Sequence, residues 1–163
     1  MEVVPILELA VLEQGGGIAR LLRPLTIRNR FRLVPAAPGA VLRCGLLVVS
    51  PTWHCDGKVV DAVCRILLTP TGTAGLFRRL ETDWVVSFGP SPQDSVSFSS
   101  LEPGALMLSV RREVPTLSGG LLDMQDIPVR CPEGAVPEEA LAAGAAVLLA
   151  LGQLPCINRG PRE

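Results

Sequence analysis

Cysteine and histidine are the side chains here best suited to hold a metal or act as nucleophile and base, and four of them fall close together. They are Cys44, His54, Cys55 and Cys64. Zinc takes thiolate and imidazole ligands, normally in pairs two to four residues apart. His54 and Cys55 are instead adjacent, and in extended chain they point to opposite sides. The spacing therefore predicts no metal site, with Cys44 and Cys64 as small core residues on strands and His54 on a loop. A Cys/His nucleophile pair fares no better. The two groups must meet within hydrogen-bond reach, and no strained turn or helix N-terminus marks Cys55 for a lowered pKa. Tyrosine does not occur, which removes every mechanism needing a tyrosyl acid, base or stacking platform.

Six arginines, Arg20, Arg23, Arg28, Arg30, Arg32 and Arg43, lie in a stretch from Ile18 to Arg43 that contains no acid. In a strand Ile27, Phe31 and Leu33 would fall on one face and Arg28, Arg30 and Arg32 on the other. Such a face suits a phosphate or an acidic partner; it also reads as a solvated surface that discourages edge pairing. Without interleaved aromatics there is no base-stacking platform. A net charge of −1 and a pI near 5.9 give no basic field to recruit nucleic acid. Trp53, in a loop after Pro51-Thr52, is either an exposed anchor for a partner or packed against the end of the fold. Trp53, His54, Arg28, Arg30 and Arg32 are the binding candidates; no catalytic residue and no cofactor is expected.

The elements positioning these residues belong to a chain of 163 residues, enough for one domain with a real core. Apolar residues at 48% against 19% charged exclude a disordered chain. The 16 glycines and 15 prolines interrupt the sequence too often for a helical bundle. Five cysteines lack the dense spacing of a disulfide scaffold. Met1-Glu2-Val3-Val4-Pro5 carries an acid where a signal peptide needs bases. The longest apolar stretch, 140–151, is about twelve residues against the roughly 20 of a membrane span. The expectation is an intracellular protein with reduced thiols, neither secreted nor membrane-spanning.

Short apolar segments recur between turn signals, as in a sandwich or barrel. Strands are expected at 3–12, ended by Gly15-Gly16-Gly17, then at 26–34, 40–50, 83–88, 95–99 and 105–112. Residues 58–68 satisfy both strand and short-helix periods. Pro137, followed by Glu138 and Glu139, predicts a helix at about 138–152. That helix is apolar nearly all round and must be covered by its own barrel or by another subunit. The chain divides into an N-terminal arm or strand (1–25), a β core (26–114) and a C-terminal extension (115–163).

The segment from Phe31 to Val114 resembles the jelly-roll core of the trimeric dUTPases, and more closely their catalytically silent relatives from early region four of adenoviruses. The residues that carry this are Phe31-Arg32-Leu33-Val34-Pro35, Pro38-Gly39-Ala40-Val41-Leu42, Gly45-Leu46-Leu47-Val48-Val49-Ser50-Pro51-Thr52 and Gly57-Lys58-Val59. Val85-Val86-Ser87-Phe88, Val96-Ser97-Phe98 and Glu102-Pro103-Gly104-Ala105-Leu106 follow in the family's order. The family's chemistry does not carry over. Asp61-Ala62 stands where an Arg-Ser phosphate contact belongs, and a carboxylate there repels phosphate. Gly75-Leu76-Phe77-Arg78 stands where a segment ending in the water-activating aspartate belongs, and a guanidinium cannot take a proton. The uracil-stacking tyrosine and the C-terminal glycine-rich motif do not occur.

The resemblance thus implies a mainly β, dUTPase-like jelly roll or barrel with a C-terminal helical extension and no enzymatic activity. It implies a viral protein-interaction module acting on host signalling or regulatory proteins in the cytoplasm or nucleus, with a homo-oligomer as a further possibility. The C-terminal Glu163 would not fill a PDZ pocket, so PDZ binding is not implied. Two alternatives remain: a diverged enzyme that binds or hydrolyses dUTP or another nucleotide, and an assembly protein using the C-terminal helix.

Overall fold

A computed structural model describes residues 6–26, 31–35, 41–53, 60–71 and 77–154. Strand β1 (Leu7–Leu12) comes first, with Leu9, Ala10 and Leu12 buried. Gly15 and Gly16 then take φ values of 88° and 72°, left-handed conformations that glycine adopts at no steric cost. They turn the chain into helix α1 (Gly17–Thr26), where no helix is expected from the sequence. Ile18 and Leu22, four residues apart, form its buried face, and Arg20 and Arg23 are exposed. The Glu13 carboxylate accepts hydrogen bonds from the Ile18 N–H at 2.8 Å and the Ala19 N–H at 3.0 Å. It thereby satisfies two of the donors that a helix start leaves free and places a negative charge at the positive end of the dipole. Pro24 falls in the last turn, where it has no N–H to donate to the Arg20 carbonyl, and the helix ends two residues later at Thr26. Of the strand expected at 26–34, Thr26 belongs to α1, Phe31–Leu33 form β2, and 27–30 lie outside the described residues.

The apolar run at 40–50 is two strands, β3 (Leu42–Arg43) and β4 (Leu46–Val49). The break is at Gly45, whose carbonyl accepts from both Arg65 N–H and Ile66 N–H, each at 3.0 Å. Two successive donors share one acceptor there, while the pairing offset stays the same on both sides. A side chain at Gly45 would be crowded: a Cβ there would lie 3.0 Å from Leu117 Cδ1 and 3.2 Å from the Glu8 carbonyl, which would have to give way. Within the ambiguous segment at 58–68 the described residues are strand, part of β5 (Val60–Pro70). The strand expected at 83–88 is the end of a longer one, β6 (Phe77–Gly89). Next come β7 (Val96–Glu102), β8 (Ala105–Val110), a small hairpin of β9 (Val114–Pro115) and β10 (Leu121–Leu122), and β11 (Gln125–Arg130).

The main sheet runs β11-β8-β7-β6-β5-β4-β1-β2, with β3 beside β5. The fold is mainly β with a C-terminal helix, as expected, but its pairing is mixed. β1 is parallel to β2 and β4, and β5 is parallel to β3, β4 and β6. Only β7–β8 and β8–β11 are antiparallel in this sheet, whereas a jelly roll is built from antiparallel strands. Parallel strands are normally buried on both faces and read as unbroken apolar runs. All four residues of Leu46–Val49 are buried. The segment expected as an arm or strand contributes β1, seated between β4 and β2.

Helix α2 (Pro137–Leu151) matches the expected helix to within one residue. Every residue from Ala140 to Ala150 is buried. One side lies on β4, β8 and β11 and another meets α1; Leu117 N–H from the β9–β10 connection caps the Leu149 carbonyl at 2.7 Å. The helix expected to seek cover from a barrel or a second subunit is covered inside its own chain. It forms the larger core with Leu9, Leu46, Ile66, Phe88, Leu108 and Val129. The opposite face carries a smaller cluster around Leu12, Leu47, Val49, Ala62 and Leu67.

Candidate functional site

Of the sequence candidates, Arg32 and Trp53 fall among the described residues. Arg28, Arg30 and His54, together with Cys55, lie outside the described residues. Arg32 is exposed on β2 and its guanidinium pairs with Glu8 on the adjacent β1. That pairing neutralises it. Trp53 is half-buried, its ring 6.2 Å from that of Phe77 and tilted by 35°. It packs with the smaller core cluster and does not stand as a free anchor.

Cys44 and Cys64 are close neighbours. Arg43 pairs with Val63 and Leu46 with Ile66 at the same offset, so Cys44 and Cys64 lie side by side on parallel chains and share the smaller cluster. Burial, then the Cys64 sulfur, then Glu8 push the Cys44 thiol up to about 12, and burial raises Cys64 as well. Both are therefore neutral thiols at physiological pH, poor nucleophiles and poor ligands. Among the described residues no three acidic, cysteine or histidine side chains are grouped to hold a metal ion.

Asp61 and Arg78, both singled out in the sequence, pair with each other across β5 and β6. The pairing turns both groups to a structural use.

A different site emerges where α1, α2 and β11 meet, as a groove of about 270 Å³. Helix α1 supplies Leu21, Pro24 and Leu25, α2 supplies Ala140, Ala143, Gly144 and Val147, and Val129 closes the floor from β11. Small residues on α2 open this space: a Cβ at Gly144 would reach Leu108 and Val129 only at 3.5 Å. Arg20 on α1 and Arg130 on β11 stand at its rim, both exposed. Neither forms an ion pair among the described residues. An apolar trough with two such guanidinium groups can bury apolar side chains and hold carboxylates. Arg20 belongs to the arginine-rich stretch noted in the sequence. Arg130 and Gly144 carry no local signal, because their role comes from packing across more than a hundred residues.

No protein family, no curated protein and no solved structure matches the chain. Among the described residues no helix is long and apolar enough to cross a membrane.

Proposed function

We propose that the protein is a non-enzymatic interaction module whose α1–α2–β11 groove receives an apolar segment of a partner protein bearing acidic residues. The observation that carries this reading is the pair of arginines, Arg20 and Arg130, without an ion pair among the described residues and set beside an apolar groove. Apolar side chains of the partner would supply affinity by leaving water, and its carboxylates would set register and orientation on the two guanidinium groups. The volume accommodates a few side chains, which suits a short linear segment better than a folded surface.

The finer reading is a viral dUTPase-like scaffold, freed of its chemistry and directed at host signalling or regulatory proteins. Its support is in the sequence, in the ordered proline and glycine turns from Phe31 to Glu102 and in the replacement of catalytic positions by Asp61 and Arg78. The mixed pairing of the main sheet departs from that scaffold.

Selection of 16-residue peptides from a random display library on the full chain tests the groove. Enriched peptides should combine apolar residues with Asp or Glu, and should lose binding to the double variant Arg20→Glu/Arg130→Glu. Peptides without acids, or undiminished binding to the double variant, would remove the groove from consideration.

A further inference from the structure

The two sides of β6 are unequal. One is paired to β5 along the whole strand, from Phe77 to Phe88. On the other, only Phe88 and Gly89 pair, with Val96 and Ser97 of β7, after which the strands diverge. From Phe77 to Ser87 the second edge has no strand beside it among the described residues. Trp84 is 52% exposed and Val85 58% exposed on this stretch. An unpaired edge is a template for another strand.

The charges on this edge are ordered. Arg78 and Arg79 come first, then Leu80, then Glu81, Thr82 and Asp83. Such a strand is basic in its first half and acidic in its second, so it complements its own reversed copy. Two-fold symmetry requires one residue to face itself across the axis. Centring on Arg79, Glu81 or Asp83 sets like charges opposite one another, and centring on Thr82 opposes Glu81 to Asp83. Centring on Leu80 opposes Arg79 to Glu81 twice, puts Arg78 opposite Thr82 and Phe77 opposite Asp83, and creates no like-charge pair. Opposite charges directly across an antiparallel pair stabilise it and like charges destabilise it. Leu80 also belongs with the smaller core cluster, so Leu80 against Leu80 would extend that apolar face across the axis.

We infer that β6 is a self-association edge: two copies of the chain join antiparallel through residues 77–83, centred on Leu80, into one continuous sheet. The edge deters a partner strand of arbitrary charge and accepts its own copy. The surface is distinct from the α1–α2–β11 groove and does not depend on it.

Sedimentation equilibrium of the full chain over a range of concentrations tests the inference. The wild type should show a monomer–dimer equilibrium. Glu81→Arg and Arg79→Glu should each weaken it by at least about tenfold, the effect of turning two attractive cross-strand pairs into repulsive ones. The double reversal Arg79→Glu/Glu81→Arg should restore the wild-type curve, while circular dichroism shows that all three variants fold. Arg20→Glu/Arg130→Glu should leave the curve unchanged. A wild type that stays monomeric up to about 1 mM, where association counts as weak on the affinity scale, would overturn the inference. So would single reversals that dimerise normally, or a folded double reversal that does not recover.

Discussion

The guanidinium of Arg78 grips the carboxylate of Asp61 at two points, Nε to Oδ1 at 3.1 Å and Nη2 to Oδ2 at 2.7 Å. The two residues sit on neighbouring parallel strands beside a bulge, where Val60 pairs with Phe77 but Asp61 with Arg79. The irregularity leaves Arg78 outside the ladder and lets it reach back to Asp61. The hydrogen bond from Arg78 holds the Asp61 carboxyl below its ordinary value of 3.8, and the Asp61 hydrogen bond raises Arg78 in turn. A carboxylate with a lowered pKa contributes stability at pH values above 3.8 and loses it as the pH falls through its folded value. Thermal melts of wild type and Asp61→Asn should differ modestly at neutral pH, as for a surface pair. The two curves should merge in strong acid, and a gap that grows on acidification would contradict this assignment.

Glu13 is the cap of α1, although it lies four residues before the helix. Replacing it with alanine leaves Ile18 and Ala19 N–H without acceptors, at a cost of about 1 kcal/mol. For a chain of this size the melting temperature should fall by about 2–4 °C. Glu13→Gln should recover part of the loss, because the amide oxygen still accepts but carries no charge for the dipole.

Asp94 is a buried carboxylate organising the turn between β6 and β7. It accepts from Thr71 Oγ1 at 2.6 Å and from Ser91 N–H at 3.2 Å. Asp94→Ala should destabilise by about 1–3 kcal/mol in urea unfolding, since Ser91 and Thr71 lose a charged acceptor. Thr71→Val combined with Asp94→Ala should cost less than the sum of the two, with a coupling of about 1 kcal/mol. Strict additivity would show that the hydroxyl contributes nothing through the carboxylate.

Gly144 sits in the middle of α2 with room for a methyl group. Gly144→Ala should therefore raise stability by about 0.5–1 kcal/mol through helix propensity. The same methyl group protrudes into the groove, so the peptides selected for that groove should bind more weakly. Stability and binding moving in opposite directions is a signature that a simple packing role would not produce.

Cys44 should be nearly inert to iodoacetamide in the native protein. Its thiol at about 12, against an ordinary 9.0, reduces the thiolate fraction by about a thousandfold near neutral pH. Peptide mapping at pH 8 should show labelling only after urea is added. The raised pKa also means that its contribution to stability is intact below pH 9.0 and is lost as the pH rises toward the folded value.

Much of the strand content was legible because burial on one or both faces writes itself into alternation or into unbroken apolar runs, as in Ser95–Ser99 and Leu46–Val49. Helix α1 was not. Ile18, Leu21, Leu22 and Leu25 have helical spacing, but three glycines before them and Pro24 among them are turn signals that masked it. The break at Gly45 depends on Glu8 and Leu117, far away in the chain, and no local pattern announces it. The site was less legible than the fold. Asp61 and Arg78 each stood out as misfits to a catalytic pattern, yet their mutual pairing follows from the register of β5 and β6. The groove exists only once α1 and β11 are packed on α2.

Helix α2 is also the last of these elements to be synthesised, and it covers strands made long before it. β4 ends at Val49 and α2 begins at Pro137, a gap of roughly 90 residues that a ribosome crosses in about 4–18 s. Throughout that interval Leu46 and Val48, joined by Leu68 and Leu108 as these are added, lack the cover that α2 supplies. The nascent chain therefore carries a sticky, half-clad sheet for most of its translation, and its yield in a cell should depend on chaperones that shield that face until the helix leaves the exit tunnel.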